Sequence, residues 1–219
     1  MRMPELHRRL LADAFEVGGV FGLALMGGYA VQAHGVVSRP SQDLDFATQD
    51  PAPIEDIVEV LTAGLGKRGW RISNVSVTPR LARLLATDPV TEASCEVDLL
   101  KEVLWRPPVV MDVGPVIDIA DVVATKMRAL GDRGLPRDAI DVHAMSADHP
   151  MAELERLGAR NAEDFDLREL RDRLEALVWV SDEEFAAYGL TDEQIAEIRH
   201  WAQDWERDLG LRLAEDYDD

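Results

Sequence analysis

The order of apolar and polar positions divides the chain into a first half that mixes helices with strands and a second half that is helical. Apolar residues recur every three or four positions over residues 4–17 and 54–65, which predicts two amphipathic helices. Short apolar runs or a period of two predict strands over residues 21–26, 43–46, 70–77, 81–86 and 94–100. A strand over residues 109–113 is bracketed by prolines, which favours a sheet edge.

Helical spacing dominates after residue 118. Residues 119–130 form one predicted helix that Asp118 is placed to cap, and Pro136 starts the next. The last helix carries five apolar residues on one side, which are Ile195, Ile198, Ala202, Trp205 and Leu209. The fold class that we expect is therefore α/β (α+β), with a small mixed sheet and flanking helices in residues 1–115 and a helical C-terminal region in residues 116–219.

One stretch of the chain combines two features that suit phosphate and metal binding. A predicted strand ends in Gly27 and Gly28, and glycine lets backbone N–H groups approach phosphate oxygens at a helix N-terminus. Asp43 and Asp45 stand two residues apart, so a strand places both carboxylates on one face, where they repel unless a cation lies between them. Taken singly, a glycine pair after a strand is most often a tight turn, and an Asp-x-Asp pair is most often a solvated strand face. Their order and separation favour the functional interpretation.

Residues 26–30 (Met-Gly-Gly-Tyr-Ala) and 39–46 (Arg-Pro-Ser-Gln-Asp-Leu-Asp-Phe) resemble the nucleotidyltransferase superfamily. More narrowly, they resemble the AbiEii/AbiGii (MenT-like) toxin nucleotidyltransferases of toxin–antitoxin and phage-defence systems. In that family the glycine and aspartate pairs bind a nucleoside triphosphate and its metal ion. The resemblance therefore implies a metal site for Mg²⁺ or Mn²⁺ at Asp43 and Asp45. It also implies four substrate-binding residues, which are Gly27, Gly28, Arg39 and Ser41.

Asp98 lies in the predicted strand over residues 94–100, where it shares one face with Glu96. The family uses a third carboxylate on a neighbouring strand in a similar Val-Asp-Leu context. By this resemblance Asp98 is a catalytic residue that helps to place a second metal ion or takes the proton of the attacking hydroxyl. A solvent-facing strand acid is the alternative, and Glu96 fits the same face as a helper.

A second match lies in the helical region, where Lys126 is followed by the series Arg137-Asp138-Ala139-Ile140-Asp141. In the family the matching lysine contacts the triphosphate, and the Arg-Asp-x-x-Asp helix supplies structural and catalytic side chains. The resemblance assigns Lys126 and Asp141 to catalysis and Arg137 to substrate binding. It implies that residues 116–219 complete the active site of a catalytic core in residues 1–115. The alternatives are a solvated lysine on a helix face and a surface pair between Arg137 and Asp141.

Composition and charge limit the class of protein further. The chain of 219 residues has a net charge of −19, of which −13 lies in residues 151–219. Such a surface works against non-specific nucleic-acid binding and favours a basic partner or solubility. The sequence has neither a secretory signal nor an apolar run of membrane-spanning length, so we expect a cytoplasmic protein without a membrane partner. Cys95 is the only cysteine, which excludes an intrachain disulfide, and we expect it in the core.

The first functional hypothesis is an enzyme that transfers a nucleoside monophosphate from an NTP to an acceptor hydroxyl, with Mg²⁺ or Mn²⁺ as cofactor. The toxin resemblance implies tRNA or a protein as acceptor and a cognate antitoxin as partner. A small-molecule nucleotidyltransferase of the aminoglycoside-modifying kind is the alternative, and it suits the acidic charge. A nucleotide- or partner-binding module without catalysis is the third hypothesis. The four intact residues Asp43, Asp45, Asp98 and Lys126 argue against it.

Overall fold

The computed structural model describes residues 1, 3–161 and 164–215 of the chain. It divides into two compact units, Met1–Val122 and Val123–Asp219. The boundary falls inside the helix Ile119–Asp132. Within the described part, no helix is both long and apolar enough to cross a membrane.

The first unit is built on a mixed β-sheet, which confirms the expected fold class. Over the described residues the sheet has seven strands in the order β3-β4-β5-β2-β1-β7-β6. β2 pairs in parallel with β5, and β1 pairs in parallel with β7, whereas the other neighbours are antiparallel. The strands are β1 (Ala24–Leu25), β2 (Asp43–Thr48), β3 (Arg71–Val77), β4 (Leu81–Thr87), β5 (Ser94–Lys101), β6 (Val109–Met111) and β7 (Gly114–Val116).

The helices of the first unit are α1 (Glu5–Gly18), α2 (Gly27–Ala33) and α3 (Ile54–Lys67). The two predicted amphipathic helices, α1 and α3, are confirmed. α3 buries the apolar residues that recur at helical spacing, whereas α1 buries Leu10 and Ala14 and leaves Leu6 and Val17 half-buried. Phe15 of α1 meets Phe46 of β2 edge-on, with ring centroids 5.5 Å apart. Because Phe46 and Asp45 are adjacent in a strand, α1 covers the sheet face opposite to Asp45.

The strand predicted over residues 21–26 is largely wrong, because only Ala24–Leu25 pairs in the sheet. The preceding residues Gly19–Phe21 form a 3₁₀ turn, and Gly22 follows in the left-handed region with a φ of 60°. An apolar run does not distinguish a buried turn from a buried strand, whereas the glycines around it favour the turn.

The far edge of the sheet is a hairpin rather than a single strand. Residues 109–113 were expected as one edge strand, and β6 does lie at the edge of the sheet. It pairs with β7, which the sequence analysis missed because Gly114 and Pro115 are typical of a strand end. β7 is held on its other side by a parallel pairing of Val116 with Leu25 of β1.

The second unit is helical in its described residues. Its helices are α4 (Ile119–Asp132, which begins in the first unit), α5 (Pro136–Met145), α6 (Met151–Gly158), α7 (Leu167–Ala176), α8 (Asp182–Ala186) and α9 (Asp192–Glu215). The Asp118 carboxylate accepts a hydrogen bond from the backbone N–H of Ala120 at 2.9 Å, so the predicted cap of α4 is confirmed. The apolar side of α9 is buried as predicted. α8 was not predicted, because its five residues are too few to show a period.

Glu155 of α6 is one of the buried charged residues of the second unit. Its Oε1 atom accepts a hydrogen bond of 2.8 Å from the indole N–H of Trp205. Arg212 of α9 donates to both oxygens of the same carboxylate, at 2.6 and 3.0 Å. A buried carboxylate is tolerated where it is paired and hydrogen-bonded in this way. The contact fixes α9 against α6.

Candidate functional site

Asp43 and Asp45 lie side by side on one face of β2, as predicted. Both are partly exposed, whereas Leu44 and Phe46 alternate with them and are buried. The pattern follows from the pleat of a strand, in which successive side chains point to opposite faces. β2 therefore presents two carboxylates on the open face of the sheet, while its other face forms part of the core.

The structure places Asp98 directly beside this pair. β5 runs parallel to β2, and Asp98 is in register with Asp45, on strands about 5 Å apart. Glu96 is in register with Asp43 in the same way. Four carboxylates thus share one face of two central strands, and their mutual repulsion requires a compensating positive charge.

Arg83 of β4, which was not among the predicted site residues, supplies a positive charge on that face. Its Nε atom donates to Asp98 Oδ1 at 2.8 Å, and its Nη2 atom donates to Asp98 Oδ2 at 2.6 Å. The Nε atom also lies 3.2 Å from Glu96 Oε1. Such a two-pronged contact is the strong form of a charge-assisted hydrogen bond. It raises the pKa of Arg83, which keeps the guanidinium charged at neutral pH.

The donor set on this face fits a divalent cation at Asp43 and Asp45. Carboxylate oxygens are the ligands that Mg²⁺ and Mn²⁺ prefer, and Mg²⁺ in nucleotide enzymes commonly uses one or two of them besides the phosphates. In residues 1, 3–161 and 164–215, no group of three or more His, Cys, Asp or Glu side chains is arranged to hold a metal ion. The metal role predicted for Asp98 stays a prediction, and both of its oxygens face Arg83.

Gly27 and Gly28 lie close to Asp45 and Ser41, and neither position has room for a side chain. Gly27 has a φ of 62°, and a Cβ atom on it would come within 1.8 Å of Asp45 Oδ2. A Cβ atom on Gly28 would come within 2.4 Å of Ser41 Oγ. The backbone at the start of α2 therefore approaches Asp45 and Ser41 more closely than any other residue type would allow. Phosphate binding by this segment stays a prediction.

Two of the predicted substrate-binding residues, Arg39 and Ser41, lie beside Gly28. The Ser41 hydroxyl donates a hydrogen bond to Asp43 Oδ1 at 3.2 Å, so it orients one of the two carboxylates. Arg39 is buried, and its Nη1 atom donates to the carbonyl oxygen of Pro40 at 3.1 Å. The structure thus brings the predicted residues of the first unit together around the start of α2 and β2.

A buried hydrogen-bond relay, formed by His7, Tyr29 and the backbone carbonyl of Ser41, holds Ser41 in place. It was not predicted from the sequence. The Tyr29 hydroxyl donates to the carbonyl oxygen of Ser41 at 3.1 Å and lies 2.7 Å from Nδ1 of His7. Burial is the main cause that raises the pKa of Tyr29 and lowers the pKa of His7, which keeps both groups neutral near pH 7. The relay joins α1 and α2 to the segment that precedes β2.

Cys95 is a buried core residue, as expected. Burial raises the pKa of its thiol to about 12, and the charge of Asp43 adds to the effect. A protonated, inaccessible thiol is neither a nucleophile nor a metal ligand. The chemistry of this face therefore rests on oxygen and nitrogen groups.

The predicted residues of the second unit form a cluster of their own. Lys126 Nζ lies 2.8 Å from Asp141 Oδ2, and the two side chains are 8% and 0% exposed. Next to them in sequence, Arg133 contacts buried Asp138 through Nε and Nη2, at 2.8 and 2.9 Å. Arg137 is partly exposed on α5. Lys126 is therefore not a solvated helix residue and Asp141 is not at the surface, whereas the catalytic roles of both stay predictions.

Comparison with known proteins agrees with this architecture. Residues 9–216 match the model of a family described as nucleotidyl transferase AbiEii toxin, type IV TA system. No curated protein matches the sequence. Among solved structures, the chain is similar to JHP933 from Helicobacter pylori, with a TM-score of 0.56 and 16% identity over 98% of this chain and 97% of that one.

A second similar structure is MenT4, a nucleotidyltransferase toxin from Mycobacterium tuberculosis. The TM-score is 0.58 at 17% identity, over 95% of this chain and 90% of MenT4. At such identities the similarity concerns the fold, whereas the family model concerns the sequence itself. Because that model extends over residues 9–216, this chain belongs to the AbiEii family of nucleotidyltransferase toxins, which implies an NTP as substrate and an antitoxin as partner.

Proposed function

We propose that the protein uses a divalent cation, Mg²⁺ or Mn²⁺, to transfer a nucleoside monophosphate from an NTP to a hydroxyl group of tRNA or of a protein. The observation that carries the proposal is the pair Asp43 and Asp45 on the open face of β2, with the Gly27 backbone packed against Asp45. Paired carboxylates beside a close backbone approach suit a cation-bound triphosphate.

Asp43 and Asp45 are the residues that would hold the cation. When bound, it neutralises charge on the triphosphate and favours the departure of pyrophosphate. Ser41 keeps Asp43 in its orientation through the hydrogen bond to Oδ1. The backbone of Gly27 and Gly28, with the Ser41 hydroxyl and the Arg39 guanidinium, is proposed to bind the phosphates.

The transfer is an in-line displacement at the α-phosphorus. The acceptor oxygen forms a bond to that phosphorus, the bond to the bridging oxygen of the β-phosphate breaks, and pyrophosphate leaves with the electron pair. The proton of the acceptor hydroxyl passes to a carboxylate, for which Asp98 and Asp141 are the two candidates. Both are already paired with cations, Arg83 and Lys126, so neither is free to act without a change of partner.

Lys126 is proposed to neutralise the charge that develops on the phosphoryl oxygens. Electrostatic stabilisation of this charge is usually the largest contribution to catalysis of phosphoryl transfer. For Lys126, Asp141 and Arg137 the proposal rests on their match to the family pattern and on the Lys126–Asp141 pair. Burial keeps the lysine side chain ordered, so little rotamer freedom is lost when it binds an anion.

The acidic charge of the chain favours a second candidate acceptor. Residues 151–219 carry a net charge of −13, which repels a polyanion such as tRNA and attracts a cationic small molecule. An aminoglycoside with several amines and hydroxyls has the chemistry that this candidate requires. The two candidates are separated by the class of molecule that receives the label.

The test is label transfer. The purified chain is incubated with Mg²⁺ and each of four α-labelled NTPs, with total tRNA, lysate protein or an aminoglycoside set added in turn, beside Asp45→Asn. Label that moves to one acceptor class, and that the variant no longer moves, supports the proposal and identifies the acceptor. Label on none of them, together with no metal-dependent nucleotide binding, refutes it.

A further inference from the structure

We propose that Arg83 is a positioning residue that holds Asp98 away from the metal and takes the place of a second cation, so that this chain uses one divalent ion, at Asp43 and Asp45. The inference rests on the proposed function, because it assumes the metal site on β2. The inference goes beyond the proposed function in two respects: the partner of the Asp98 carboxylate is Arg83 instead of a metal ion, and the chain binds one divalent ion.

The first argument is the occupancy of the Asp98 carboxylate. Both oxygens accept a hydrogen bond from the guanidinium, at 2.8 and 2.6 Å, and the Asp98 side chain is only 9% exposed. Asp98 and Arg83 are also directly opposite each other in the β4–β5 ladder, so the backbone register itself holds the pair together. A cation that bound Asp98 would have to displace a two-pronged contact that the sheet preorganises.

The second argument is the balance of charge on the face. Asp43, Asp45, Glu96 and Asp98 share it, and Arg83 faces three of them: it contacts Asp98 and Glu96, and the charge of Asp43 acts on it as well. Arg83 already brings one positive charge to these carboxylates, which lowers their attraction for a second divalent cation. The bound triphosphate adds negative charge, which a further positive group would stabilise. The guanidinium of Arg83 supplies that charge, so a second divalent ion is not needed.

The third argument is the part of Arg83 that still faces solvent. Its side chain is 40% exposed, and within the described residues the contacts of the guanidinium involve Nε and Nη2. The contacts with Asp98 and Glu96 leave the Nη1 atom out, so they do not use all five N–H donors of the guanidinium. Arg83 is therefore anchored by Asp98 while part of its side chain stays accessible to solvent.

The inference predicts how the affinity for a divalent cation responds to Arg83. In Arg83→Met, Asp98 is released and a positive charge close to the site is lost. We expect the affinity for Mn²⁺ to rise about tenfold or more, with a second ion bound per chain. In the double variant Arg83→Met/Asp98→Asn, two uncharged side chains replace an ion pair whose net charge is zero, so the net charge of the chain is unchanged. We expect one Mn²⁺ per chain and an affinity within about threefold of wild type.

The experiment is a titration of the full chain with Mn²⁺ alone, without nucleotide, in which free Mn²⁺ is read by electron paramagnetic resonance. Arg71→Met is the matched control, since Arg71 of β3 forms an exposed pair with Glu92 of the β4–β5 connection and its loss changes the net charge equally. Circular dichroism and a thermal melt verify that each variant is folded. Arg83→Gln serves as a second neutral variant if Arg83→Met unfolds.

The outcomes separate this inference from the proposed function. If Asp45→Asn loses Mn²⁺ binding and the double variant keeps it, Asp98 is not a ligand and the inference stands. If the double variant loses Mn²⁺ as Asp45→Asn does, or if wild type binds two ions, Asp98 is a ligand and the inference is overturned. If Asp45→Asn leaves Mn²⁺ binding unchanged, the metal site of the proposed function fails, and the inference fails with it.

Discussion

Lys126 Nζ and Asp141 Oδ2 are 2.8 Å apart in a pair that is almost completely withdrawn from solvent. Removing one member of such a pair leaves an uncompensated buried charge, which commonly costs about 3–5 kcal/mol of the free energy of unfolding. We expect Asp141→Ala to lose stability of that order in urea unfolding. Arg207→Ala, which breaks an exposed pair with Asp204, is expected to change stability by no more than about 0.5 kcal/mol.

The same pair allows stability and activity to be separated. In Lys126→Met/Asp141→Leu both charges are replaced by apolar groups of similar size, which is often neutral or stabilising. We expect the double variant to regain most of the stability that Asp141→Ala loses, while label transfer stays at background. A folded double variant with wild-type activity would show that the pair is structural and that the catalytic roles proposed for Lys126 and Asp141 are wrong.

Gly27 provides the second prediction, because an added Cβ atom would collide with the Asp45 carboxylate. We expect Gly27→Ala to lose most metal-dependent nucleotide binding and label transfer. Gly22→Ala is the matched control: Gly22 also has a φ near 60°, but no atom lies within 4 Å of its added Cβ. The backbone strain, of order 1–2 kcal/mol, is therefore common to both variants. Equal loss of nucleotide binding in the two would mean that the collision with Asp45 is irrelevant.

The features of the fold and of the site that the sequence predicts correctly are those with local causes. The alternation of Asp43, Leu44 and Asp45 determines which side chains share a face, because the period of a strand is fixed by its pleat. The helical spacing of α9 predicts its buried side for the same kind of reason. Neither prediction needs information on which elements are neighbours.

The contact between Arg83 and Asp98 could not be predicted in this way. It depends on the register of β4 against β5, which are joined by a six-residue connection, residues 88–93. A slip of one residue would send the side chains of a whole strand to the other face, and no local pattern excludes it. The burial of Lys126 and Asp141 likewise depends on how α4 packs on α5, whereas composition alone places a lysine at the surface.

Tyr29 provides the third prediction. Tyr29→Phe removes the donor to the buried Ser41 carbonyl and the partner of His7, and we expect a loss of about 1–3 kcal/mol in the free energy of unfolding. Because Ser41 orients Asp43, we also expect the apparent KM for the NTP to rise. The control is Trp70→Phe, which removes a hydrogen bond to Asp13 and should affect stability alone. A Tyr29→Phe enzyme with an unchanged KM would contradict the link between the relay and the site.

The last prediction concerns acid stability and His143 on α5. Its imidazole packs edge-on against Trp201 of α9, with ring centroids 5.2 Å apart. Burial lowers the pKa of His143 below its ordinary value of 6.5, although the charge of Glu197 opposes the shift. A histidine with a lowered folded-state pKa takes up its proton more readily in the unfolded chain, so it contributes less to stability as the pH falls through 6.5.

We therefore expect the free energy of unfolding of the wild type to decrease between pH 7.5 and pH 5 by more than that of His143→Phe. The substituted ring preserves the packing on Trp201 but has no proton to gain. Urea unfolding of both proteins at half-unit intervals of pH measures the two slopes. His7 contributes in the same direction, because burial lowers its pKa as well, so the variant should lose only part of the dependence. Identical slopes for the two proteins would show that the proton on His143 costs nothing in the folded state, and that the ring is solvated rather than held against Trp201.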